Sequence, residues 1–125
     1  MNPKQFLLWG GIVLLLVGIL GFIGILGPME TDSLFGSTWW FDNGENWAHT
    51  ILGIVAIVAS MSLSAEMQKT LTMAVGFLAL FFGLYNFVST TFMGANLESP
   101  MDLILHLAVA GWALWAGMQP AGKEA

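Results

Sequence analysis

Four apolar stretches divide the chain, each separated from the next by a short polar segment. They run from about Phe6 to Leu26, Trp47 to Leu63, Thr70 to Phe92 and Pro100 to Met118. A helix that rises ~1.5 Å per residue needs ~20 apolar residues to cross a hydrocarbon layer of ~30 Å. The first and third stretches meet that length. The second and fourth are shorter and need a further turn in the headgroup region. The pattern predicts an all-α fold, a single four-helix transmembrane bundle over residues 1–125, with a long outer loop over about 27–44. The first stretch exceeds the ~7–15 residues of a secretory signal core, and no Ala-x-Ala site follows it, so it reads as a retained span.

Polar residues mark where the helices start. Asn2-Pro3-Lys4-Gln5, Asp42-Asn43-Gly44-Glu45 and Ser99-Pro100-Met101-Asp102 each place a capping side chain three positions before an acid or amide. On this reading Asp42 and Ser99 are N-caps, and Glu45 and Asp102 occupy the third helical position. An acid there satisfies free amide groups and opposes the positive helix end, so capping alone is enough to account for both.

Small residues recur along one side of every stretch: Gly11, Gly18 and Gly21; His49, Gly53, Ala56 and Ser60; Gly76, Ala79, Gly83, Asn86 and Thr90; Asp102, His106, Ala110, Ala113 and Gly117. Such stripes let helix backbones approach closely in lipid, and they predict the bundle core. The two halves also resemble each other. Phe35-Gly36, an acidic turn, Glu45 and His49 correspond to Met93-Gly94, an acidic turn, Asp102 and His106, with four residues from acid to His in both. This predicts two parallel two-helix repeats.

Composition supports the bilayer. Charged residues make up 9% of the chain and hydrophobic ones 57%, whereas a soluble domain has about 25% charged residues. Without cysteine, disulfide and thiolate chemistry are excluded. The net charge of −5 and three scattered lysines exclude nucleic acid as a partner. Lys4, Lys69 and Lys123 all fall on one face of a four-span bundle, opposite Glu30, Asp32, Asp42, Glu45, Glu98 and Asp102. The positive-inside rule makes the lysine face cytoplasmic. The expected location is a bacterial inner membrane, cytoplasmic or photosynthetic, with both termini inside.

The candidate chemistry lies in His49 and His106, each about one turn inside the outer boundary. Ionisable residues at that depth face the bundle interior or mark a function. With Glu45, Asn86 and Asp102 they are expected to form one polar cluster. One reading has neutral imidazoles bonded to the acid four residues earlier or to another helix. A second has the two His, at equal depth on parallel helices, as ligands of haem b or a (bacterio)chlorophyll. A third is proton or ion handling by a small transporter or an oligomeric channel. No nucleophile elbow or phosphate-binding loop is present, and the reading is non-enzymatic. Leu34-Phe35 and Trp39-Trp40-Phe41 are too apolar for a freely solvated loop. They either lie on the headgroups or dock a larger membrane partner. Trp9, Trp112 and Trp115 read as an inner aromatic belt, and Trp47 as part of the outer one.

The segment from His106 to Trp115 resembles the His-to-Trp segment of bacterial light-harvesting polypeptides, which implies a chlorin ligand at His106. The whole layout is similar to an uncharacterised bacterial family of small four-helix membrane proteins, a domain of unknown function. The residues that carry this likeness are Leu34-Phe35-Gly36, Asn46-Trp47-Ala48-His49 and Asp102-Leu103-Ile104-Leu105-His106. The Trp-rich loop and the lack of Arg depart from the family pattern. The resemblance implies the four-span fold and no activity. The expected role is an accessory or scaffold subunit among other integral membrane subunits, in a respiratory or photosynthetic complex.

Overall fold

A computed structural model describes residues 1–121, so Lys123 lies outside the described residues. Each apolar stretch yields one helix: α1 (Pro3–Phe22), α2 (Asn43–Ser62), α3 (Ala65–Tyr85) and α4 (Met101–Met118). A short antiparallel hairpin, β1 (Thr91–Phe92) and β2 (Ala95–Asn96), joins α3 to α4. By length and composition α1, α3 and α4 are suited to cross a membrane. α2 matches α1 at 20 residues, but it opens on Asn43-Gly44-Glu45-Asn46, which lowers its apolar content.

Two predicted starts form as expected. Asn2 accepts from Gln5 N–H at 2.9 Å, and the Gln5 side chain accepts from Asn2 N–H at 3.0 Å. Asp42 accepts from Glu45 N–H at 2.9 Å, and Glu45 accepts from Asp42 N–H at 3.1 Å. The start of α4 differs. Pro100 holds the cap position and no side chain caps it, so Ser99 is not the N-cap. The helix begins one residue later than predicted, and Asp102 instead reaches back to accept from Glu98 N–H at 2.7 Å.

The third stretch ends early. Asn86 closes α3, and its Nδ2 donates to the carbonyls of Ser89 and Leu97, both at 3.1 Å. The β-branched residues that follow, Val88, Thr90 and Thr91, favour extended backbone. Met93 and Gly94 then take φ of 49° and 84°, as a tight two-residue hairpin turn requires. Thr90 and Phe92 are therefore outside the helix, and Thr90 is exposed rather than part of the core stripe.

Packing follows the small residues. α1 lies against α2, and α3 against α4. A methyl added at Gly53 would stand 2.6 Å from Leu15 N and 2.8 Å from Gly11 O, so two backbones touch there. The two hairpins meet chiefly through α1, where Phe6 and Leu7 pack with Ala113 and Ala116. Trp112 stands edge-on to Phe6 at 4.8 Å and directs its Nε1–H at Met1 Sδ, 3.3 Å away. Half-buried Trp112 joins this seam, whereas Trp9 and Trp115 are exposed. Because α2 leans on α1, an apolar groove of about 300 Å³ stays open between α2 and α3, lined by Ile54, Val55, Val58, Ala59, Ser62, Leu63 and Leu71.

Candidate polar site at the loop end

The connection from α1 to α2 folds back onto the helices. Phe41 N–H donates to Leu26 O at 2.7 Å, Leu34 N–H to Ile25 O at 2.9 Å, and Ser33 Oγ to Trp39 O at 2.6 Å. These bonds bury Leu26 and Phe41. They also set Trp39 edge-on to Phe41 at 5.2 Å, and Phe41 edge-on to His49 at 5.1 Å. The β-hairpin is stapled to the same loop through Asn96. Its N–H donates to Asp42 Oδ2 at 2.7 Å, and its Nδ2 donates to Trp40 O at 3.3 Å and Glu98 Oε1 at 3.0 Å. Asp42 thus caps α2 with one oxygen and holds the other half of the molecule with its second.

Beneath this cover lie Glu45 and Asp102, 7% and 2% exposed. They sit within electrostatic reach of each other. Each carboxylate accepts one backbone N–H, from Asp42 and Glu98 respectively. The described lysines, Lys4 and Lys69, are both at the far end of the bundle, so neither neutralises them. The indole N–H of Trp39 is buried without a hydrogen-bond partner and faces the Asp102 carboxylate.

His49 and His106 also lie within electrostatic reach of one another. Neither bonds to the acid side chain four residues earlier, because those carboxylates turn back to the helix starts. His106 Nδ1 is 2.7 Å from Asp102 O. A carbonyl only accepts, so Nδ1 carries the proton and Nε2 keeps a lone pair. The ring tilts against Phe82 at 5.7 Å. His49 Nδ1 is buried and has no partner.

Asn86 spends its amide protons on the α3–α4 loop, as a brace for the hairpin. Of the aromatic run, Phe41 is core, and Trp39 and Trp40 are half-buried. The apolar side chains that this connection leaves exposed include Ile23, Met29, Leu34 and Phe35. Among the described residues, no group of three or more His, Asp and Glu side chains is arranged to hold a metal ion. The Asn96 staple had no signal in the sequence, since it joins positions 54 and 56 residues apart. Set against family models, curated proteins and solved structures, the chain matches none.

Proposed function

We propose that the chain is a four-span membrane protein of the bacterial inner membrane that serves as a non-enzymatic accessory or scaffold subunit of a larger respiratory or photosynthetic complex. The observation that carries this reading is the groove between α2 and α3. It is open, almost wholly apolar and floored by Ala59, a shape that suits a transmembrane helix of a neighbouring subunit. The fourth crossing, by α2, is supported by the way its polar residues are placed. Glu45 and Asn46 are buried inside the protein, while Trp47, Ile51, Val55, Val58 and Met61 face outward. Polar groups hidden in this way do not meet lipid. The two-repeat reading draws on Glu45 and Asp102, which both accept a backbone N–H from just before their helix.

The test is gentle solubilisation from the native membrane. The chain should migrate with other integral subunits, well above the purified 13.5 kDa chain run in the same detergent, and Val58→Trp, which fills the groove, should release it. Free wild-type monomer would contradict the reading. If lipid alone fills the groove, V58W leaves the assembly intact.

One observation favours a second reading, in which His49 and His106 hold a haem or chlorin. The bond from His106 Nδ1–H to Asp102 O fixes the tautomer whose Nε2 is free to bind a metal, as oriented ligand histidines are. The same preparation then shows a visible absorption band that H106A removes. A spectrum with tryptophan absorption alone leaves the histidines as packing groups.

A further inference from the structure

The end of the molecule that carries the long loop presents two apolar knobs. One is Leu34-Phe35, where Leu34 is 78% exposed. The other is Met93, at 93% exposed, on the β1–β2 turn. Neither is a loose tip. Leu34 N–H is held by Ile25 O, Phe35 N–H by Ser33 Oγ at 3.1 Å, and Gly36 N–H by Ser33 O at 3.0 Å. The ring of Phe35 leans on Trp39 at 5.4 Å. Met93 is fixed by the left-handed turn it occupies. The Asn96 bonds to Asp42 and Trp40 tie the two loops together, so the knobs stand at the same end of the molecule in a fixed relation. A surface ordered before binding loses less entropy on binding.

Its electrostatics are one-signed. Glu30 is exposed, Asp32 and Glu98 are partly exposed, and the described lysines lie at the opposite end. Segments that insert into a membrane surface combine apolar residues with Lys and Arg, which anionic headgroups attract. An acidic rim reverses that preference and favours a cationic protein.

We propose that Leu34, Phe35 and Met93, rimmed by Glu30, Asp32 and Glu98, form a docking surface for a cationic, apolar segment of a partner protein. This rests on the accessory-subunit reading and names the chemistry of the partner. The test uses the full chain in nanodiscs of zwitterionic phosphatidylcholine. The probe is a fluorescent peptide of alternating Leu and Lys, with a Leu/Glu peptide as counter-probe and protein-free discs as background.

The Leu/Lys peptide should bind saturably and above background. L34S/F35S/M93S should weaken it at least tenfold, and so, separately, should E30Q/D32N. Salt raised to ~0.5 M, where the Debye length falls to ~4–5 Å, should do the same. All five side chains are exposed or partly exposed, so far-UV circular dichroism should report unchanged helix in both variants. Equal binding of the Leu/Glu peptide, or a change under twofold in both variants, overturns the proposal. Quenching by brominated lipid of the extra emission that Phe35→Trp adds over wild type also overturns it, because it puts the knob in the bilayer. In native membranes the two readings fail differently. Wild type without any assembly defeats the accessory role, whereas L34S/F35S/M93S still in the assembly defeats only this surface.

Discussion

Asp42 does two jobs with two oxygens, and they can be separated. Oδ1 caps α2 through Glu45 N–H, and Oδ2 receives Asn96 N–H. Asp42→Ala removes both, with an expected loss of about 1–2 kcal/mol for the cap and about 1 kcal/mol for the staple. Asp42→Asn keeps a capping oxygen, but its amide group cannot accept from Asn96, so only the smaller loss is expected. Unfolding in mixed micelles of mild detergent and dodecyl sulfate measures both. No loss in Asp42→Asn would show that the staple contributes nothing, and equal losses for the two variants would show the same of the cap. The cap was legible, because Asp42-x-x-Glu45 is a local pattern. The staple was not, because Asn96 follows a turn whose position in space depends on where α3 ends. The same distinction explains Ser99. The local pattern pointed to a cap, and the approach of the chain, held by the bond from Glu98 N–H to Asp102, moved the helix start past it.

Among the helices, the small-residue stripes were the most readable feature. Gly11, Gly18 and Gly21 on α1, and Gly53, Ala56 and Ser60 on α2, are all buried, since spacing alone puts them on one side. What spacing does not specify is which helices meet. The stripes suit a closed bundle of four, but the close contacts are within each hairpin, and α2 meets the second one mainly at its two ends, through Asp42 and Asn96 at one and Gln68 Nε2 on the Ala59 and Ser60 carbonyls at the other. Gly53 and Gly111 separate packing from propensity. Alanine improves a helix over glycine by ~1 kcal/mol, while overpacking costs about 1–3 kcal/mol. Gly53→Ala would push into Leu15 N and Gly11 O and should destabilise the protein. Gly111→Ala meets open space within 4 Å and should be neutral or stabilising. The same denaturation assay checks this, and equal effects at both positions would mean that α1 and α2 do not pack this closely in the membrane. The end of α3 was misread for a related reason. The run to Phe92 is apolar enough for a span, but hydropathy carries no signal for the turn at Met93-Gly94.

At the scale of the whole molecule, the topology depends on α2. Three helices qualify as spans on composition, and the fourth does so only when the burial of Glu45 and Asn46 is taken into account. With four crossings, the long loop and the β-hairpin share one side of the membrane, and Lys4 and Lys69 share the other. The acidic docking surface, the paired His and the open groove all take their orientation from this. Four apolar stretches were visible from the outset. The polar opening of α2 was readable as a capping box, but its concealment from lipid depends on Phe41, Leu26 and the folded loop, which no local pattern encodes. The chain has no cysteine, so single cysteines report on this without background. Placed at Ser37, Ser64 and Ser99 in intact cells, they can be challenged with a membrane-impermeant maleimide. Four spans with cytoplasmic termini predict labelling at 37 and 99 from outside, and at 64 only after the membrane is opened. Labelling of 37 and 64 from the same side would mean that α2 does not cross, and the topology proposed here would be wrong.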